Sequence, residues 1–117
     1  IMTNTQVCSW VHFTNAPSEL YLATATDGAE KELVSQSSGA ALGDVAGQVI
    51  SGMDFQVGDG SILTYIQITD SSGGQTINVK GGERSATQSA FGNMNITLAG
   101  LSIPVHRGQS LNAMTAD

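Results

Sequence analysis

Charge is scarce in this chain. Only 12% of its 117 residues are Asp, Glu, Lys or Arg, where ordinary soluble domains carry about 25%. Four bases face ten acids, for a net charge of −6, and no basic cluster occurs. A protein that grips nucleic acid by its phosphates needs such a cluster, so that partner class is excluded. The single cysteine, Cys8, cannot close an internal bridge, which excludes a disulfide-framed miniprotein and leaves the redox compartment open. No run approaches the ~18 apolar residues of a membrane helix, and no membrane insertion is expected. The Ile1–Met2 start reads as a processed or an engineered one, and the sequence leaves open whether a signal peptide was removed.

What fills the space is small and polar. Thirteen Ser, eleven Thr and fourteen Gly accompany a hydrophobic fraction of 40%, with three Phe, two Tyr and one Trp. The length fits one domain over residues 1–117. That many glycines raise the entropy cost of ordering the backbone, and the few aromatics supply little bulk. A subunit that completes its core against neighbours would relieve that tension. Solubility resting on Ser, Thr, Asn and Gln is a style of secreted, cell-surface and virion proteins, and the expected location is extracellular, cell surface or virion.

Period-2 patterns dominate. Gln6 to Phe13 reads as a strand rich in β-branched and aromatic residues. Val7, Val11 and Phe13 share one face and Cys8, Trp10 and His12 the other, as expected for a strand covered on both sides. Leu20 to Thr26 forms a second strand, closed by Asp27-Gly28. Between Ala29 and Met53 the spacing of Leu42, Val45, Val49 and Ile50 is helical, but interior glycines oppose a helix. A short strand or a helical turn is expected over Val45 to Ser51. Met53, Phe55 and Val57 then alternate with polar residues, and Gly58-Asp59-Gly60 reads as a hairpin turn. Ile62, Ile66 and Ile68 share one face of the next strand, with Leu63, Tyr65 and Gln67 on the other. Asp70 to Gly74 supplies a hairpin loop before Ile77 and Val79. Met94, Ile96 and Leu98 alternate, Leu101, Ile103 and Val105 continue, and Arg107-Gly108-Gln109 turns into Leu111 and Ala113. The segment from Gly81 to Ala90 is expected to be a surface loop. The predicted fold is all-β: a single-domain antiparallel β-sandwich or jelly-roll-like architecture of about seven to eight short strands, with at most one short helix.

Recognised catalytic signatures are missing. There is no nucleophile elbow, phosphate loop or zinc helix. Cys8 and His12 stand four residues apart on one strand, roughly 13 Å, too far for a thiol dyad. His106 could serve a serine as general base, but no orienting aspartate can be nominated for it, and a solvated strand-end histidine is the simpler reading. Cys8, His12 and His106 lack zinc-ligand spacing. Asp54, Asp59 and Asp70 fall near strand ends, where capping of turns outweighs a calcium site. No catalytic residue, metal or cofactor is therefore assigned.

Two functional classes remain. Low charge, small side chains and edge strands guarded only by Lys80 and Pro104 favour a non-catalytic, self-assembling structural subunit (decoration, coat or filament protein), a homo-oligomer joined through strand edges. The alternative is a lectin-type β-sandwich that binds carbohydrate. Sugars pair an aromatic platform with hydrogen-bonding side chains; Trp10 and Tyr65 are the candidate platforms, and Asp59, Asn93 and Asn95 the candidate hydrogen-bonders. Trp10 sits in the most apolar strand, which favours a core position over a platform. Asn95-Ile96-Thr97 is also an N-glycosylation sequon, relevant in a eukaryotic secretory pathway.

Overall fold

A computed structural model describes residues 6–58, 62–70, 75–80 and 94–116. Among these the chain forms nine strands and one 3-10 turn: β1 (Val7–Phe13), β2 (Glu19–Ala23), β3 (Lys31–Ser35), the 3-10 turn (Leu42–Val45), β4 (Val49–Val57), β5 (Ile62–Thr69), β6 (Gln75–Lys80), β7 (Met94–Leu98), β8 (Ile103–Pro104) and β9 (Ser110–Ala116). All ladders between named strands are antiparallel. No helix among the described residues is long and apolar enough to cross a membrane. The expected all-β antiparallel class is what the chain adopts.

The strands follow one hydrogen-bonded path, β6-β5-β9-β3-β2-β1-β4-β7, with β8 paired to β4 off that path. The path curls at β3. Lys31 to Leu33 pair with β9, whereas Val34 and Ser35 pair with Leu22 and Tyr21 of β2. The connection after β2 is pinned to β9 as well, since Gly28 N–H donates to Thr115 O at 2.8 Å and Thr115 N–H to Thr26 O at 2.9 Å. The two buried threonine hydroxyls, Thr26 and Thr115, lie 2.9 Å apart. Curling lets both halves fill one core. Val7, Val11 and Phe13 of β1 and Met53, Phe55 and Val57 of β4 join Leu63, Ile66 and Ile68 of β5 and Leu111 and Ala113 of β9 in a single buried cluster. Each Val, Leu, Ile, Met or Phe side chain among them contributes about 1.5–3 kcal/mol when fully buried.

Several expectations give way, each for a local reason. The outer face of β1 is only partly covered: Cys8 is buried but His12 is half-buried and Trp10 is 45% exposed. Trp10 is therefore not a core residue, because the inner face of β1 is already filled by Val7, Val11 and Phe13. The second strand stops at Ala23, and Ala25 takes a positive φ of 56° that ends the extended run. The helical spacing after Ala29 resolves into the 3-10 turn over Leu42–Val45, and β4 begins only at Val49. The link at Gly58-Asp59-Gly60 does not close a hairpin, since β4 pairs with β1, β7 and β8 whereas β5 pairs with β6 and β9. It carries the chain between the halves, although residues 59–61 themselves lie outside the described ones.

In β5 a bulge between Leu63 and Tyr65 changes the phase of the strand. Leu63 consequently joins Ile66 and Ile68 in the core rather than sharing a face with Tyr65. The run Leu101 to Val105 pairs as strand only at Ile103–Pro104, though Leu101 N–H and Val105 N–H still donate to Ser51 O and Gln48 O beside β4. The expected loops at 71–74 and 81–90 lie outside the described residues.

Gly43 shows what a glycine is needed for in the 3-10 turn. A Cβ there would sit 2.9 Å from the backbone atoms Gln109 N, Gln109 O and Gly108 N, and Gly43 N–H donates to Gln109 O at 2.9 Å. The turn before β9 thus rests directly on the 3-10 backbone. Gly43→Ala must force the two segments apart, at a cost of about 1–3 kcal/mol. The expected result is a lower urea midpoint at unchanged m-value; an unshifted midpoint would show the approach to be dispensable.

Candidate functional site

The outer surface of β1 and β2 carries the features that the core does not use. Trp10 pairs with Leu20 on β2 and with Asp54 on β4. Its ring borders a groove of about 400 Å³, lined also by Pro17, Ser18, Glu19, Leu20, Gln36 and Ser37. Pro17 belongs to the polar connection Thr14 to Ser18, which breaks the strand because proline cannot donate to a ladder. Gln36 and Ser37 arrive from the turn after β3, anchored by Gln36 N–H to Leu20 O at 2.9 Å. One aromatic thus stands beside a mostly apolar groove edged by Ser18, Gln36 and Ser37, while the Glu19 carboxylate is turned to the Tyr21 hydroxyl, from which its Oε2 accepts at 3.3 Å. A second depression, about 820 Å³, lies between Glu32, Asp44 and Arg107 and is lined by small and polar residues without any aromatic. It is wider, but the groove beside Trp10 has the better-defined chemistry.

Next to Trp10, on the same outer face, lies His12. Its Nδ1 is 2.6 Å from Ser18 Oγ, and its Nε2 is 2.7 Å from Asp54 Oδ2. The register explains both contacts. Val11 pairs with Glu19, so the next step along the hairpin brings His12 opposite Ser18. On the other side His12 pairs with Gly52, and Asp54 is its diagonal neighbour on the same face. A Cβ at residue 52 would lie 3.0 Å from Leu98 O, closer than ordinary packing, and 3.7 Å from His12 Cδ2, an ordinary contact, so the glycine serves the close approach of the Leu98 carbonyl rather than the imidazole.

Asp54 pairs with Thr97 on β7. The bond from His12 first, and that from the Thr97 hydroxyl second, hold its carboxyl below the ordinary carboxylate range. Ser18, His12, Asp54 and Thr97 thus form a hydrogen-bonded chain across β1, β4 and β7. The side chains of His12 and Asp54 are 39% and 41% exposed, so solvent reaches the chain.

The sequence-based candidates scatter. Trp10 lies in the groove. Tyr65 is on β5, four places from β1 along the strand path, and its hydroxyl donates to Glu30 Oε1 at 2.6 Å, an oxygen that also accepts from Gln67 Nε2 at 3.1 Å. Burial first, and the Glu30 carboxylate second, push that hydroxyl up to about 12. Tyr65 and Trp10 therefore do not form one platform. Asn95, on β7, pairs with Gln56 on β4, and Asp59 and Asn93 lie outside the described residues.

Asp54 is mid-strand rather than at a strand end, and no group of three or more His, Cys, Asp or Glu is gathered among the described residues. Cys8 is buried beneath the outer face, its Sγ 3.6 Å from Gln56 Oε1, and burial pushes its thiol up. His106 is exposed. What the sequence reading missed is the pairing of His12 with Ser18 and Asp54. The turn between the first two strands was a signal for Ser18; nothing local signals Asp54.

A lowered folded-state pKa means that Asp54 contributes stability above the unfolded carboxylate value of about 3.9 and loses it as pH falls through the lower folded value. Urea midpoints measured from pH 6 down to pH 2.5 should therefore fall more steeply for the parent chain than for Asp54→Asn; parallel curves would show the pairing to be energetically idle. No family model, curated protein or solved structure matches this chain.

Proposed function

We propose that the protein is a carbohydrate-binding domain of lectin type whose ligand lies in the groove beside Trp10. The exposure of Trp10 carries this proposal. It is the exposed large hydrophobic residue of the described chain, at 45%. A tryptophan can bury about 150–250 Å², so leaving nearly half uncovered forgoes on the order of 2 kcal/mol. A ligand that stacks on the ring recovers that contribution. The lining suits a sugar, since the C–H face of a pyranose packs on the indole while Gln36 and the hydroxyls of Ser18 and Ser37, which keep lone pairs beside their contacts with His12 and Ser35, meet its hydroxyls. The groove volume falls within the range of about 300–1,000 Å³ usual for small-ligand sites.

A β-sandwich or jelly-roll arrangement is part of the proposal, supported by the shared core between the two halves of the curled sheet. An extracellular, cell-surface or virion setting follows from the low charge and the glycan ligand.

A second reading, the self-assembling structural subunit, is favoured by the ends of the strand path. Among the described residues β6 pairs only with β5, and β7 only with β4. Neither Lys nor Pro occurs in β7, and β6 has Lys80 only at its last position. Edges so lightly guarded can pair with a second copy. Light scattering over a concentration series tests it: growth of mass with concentration supports assembly, and a strict monomer at high concentration removes it.

For the lectin proposal, a glycan array followed by calorimetry is decisive. Binding of a sugar should move the fluorescence of the sole tryptophan, and Trp10→Ala should weaken affinity roughly thirtyfold, as loss of about 2 kcal/mol of recovered burial implies. A blank array with unmoved fluorescence would remove the proposal.

A further inference from the structure

We infer that Ser18 is an acyl-accepting nucleophile, activated by His12, and that the groove beside Trp10 takes a carboxylic ester. The hydrogen bonds impose the roles. When His12 Nε2–H donates to the Asp54 carboxylate across 2.7 Å, the neutral ring carries its lone pair on Nδ1. That nitrogen lies 2.6 Å from Ser18 Oγ, so it accepts the serine proton. Nucleophile, base and orienting carboxylate then stand in the relation that acyl-transfer sites use, recognised by geometry and not by sequence order. The two ring nitrogens exchange their usual partners, which leaves the proton logic unchanged. Thr97 donates to Asp54 and fixes the carboxylate from the far side. Ser18 also lines the groove of Trp10, so a molecule stacked on the indole presents its substituents to Oγ.

The chemistry is self-contained. Ser18 Oγ bonds to the acyl carbon as its proton passes to His12 Nδ1. The bond from that carbon to the alcohol oxygen breaks, and the departing oxygen takes the proton from Nδ1. A solvent water, deprotonated by Nδ1, then attacks the acyl-serine; the bond to Oγ breaks, Ser18 regains its proton, and a carboxylic acid is released. No other reactant is needed. General-base assistance of this kind contributes about 10²–10⁴-fold. That the alcohol is a sugar, making the substrate an O-acylated glycan, rests on the lectin proposal. The nucleophilicity of Ser18 does not. Ser18 and His12 are the catalytic residues, and Asp54 is a positioning residue that acts through His12.

The experiment uses the full chain with two small probes that need no sugar: a fluorophosphonate, read by mass spectrometry, and p-nitrophenyl acetate, read by release of nitrophenolate. The expected result is one fluorophosphonate adduct, mapped to Ser18 in folded protein and absent in urea, and ester turnover that falls roughly 10²-fold in Ser18→Ala. Ser18 is exposed on a connection, so that variant keeps the parent urea midpoint. Asp54→Asn should lower kcat with little change in KM, and Asp54→Glu should restore part of it, which a purely structural carboxylate would not do. Absence of the adduct, or turnover equal in parent and Ser18→Ala, overturns the inference.

The sugar arm is separate. Adduct formation with a blank glycan array leaves the serine standing and removes the lectin proposal. Sugar binding without the adduct does the reverse.

Discussion

The fold depends on the divided hydrogen bonding of β3. Within five residues this strand gives its first three to β9 and its last two to β2, and so joins what would otherwise be two separate sheets. A buried backbone group left unpaired costs about as much as a lost hydrogen bond, so the strand cannot slide toward either neighbour without stranding donors on the other. The curl this enforces turns Leu33, on the β9 side, into the common core and leaves the outer surfaces of β2, β1 and β4 facing away from it. The groove and the polar chain both occupy that outer surface.

The strands themselves were largely legible. Met53, Phe55 and Val57, and later Leu111 and Ala113, alternate with polar neighbours, and each is buried as the alternation requires. Alternation assigns residues to faces but does not say which face is wet when both carry bulk. In β1 that ambiguity was complete, and Trp10 fell on the solvent side because smaller side chains filled the inner one. Alternation also fails where a bulge inserts a residue, as at Thr64, where Leu63 changes sides. Strand neighbours were illegible for a different reason. A short glycine-rich link looks the same whether it closes a hairpin or crosses to another part of the sheet, and the link after Val57 does the latter.

The polar chain follows the same division between local and distant information. Ser18 is six residues from His12 and is brought to it by a hairpin; Asp54 is 42 residues away and arrives only through the pairing of β1 with β4. Polar side chains on one outer face of adjacent strands meet readily, and most such meetings do no more than lace strands together. What distinguishes this one is direction. Each bond orients the next group, from Thr97 through Asp54 and His12 to a serine at the lip of a groove, and the chain ends where a ligand would begin.

Gly52 lies beneath this arrangement without belonging to it. It bears no functional group, makes no contact with the groove, and would pass for an ordinary strand residue. Yet a single added carbon there would crowd the Leu98 carbonyl, the neighbour of Thr97, while touching the imidazole ring. Prising β4 from β7 at that point would loosen the threonine that steadies Asp54. The reactivity of a surface serine is thus tied to the thinness of the sheet two strands away, and a chemically mute position becomes a tuning point for the whole relay.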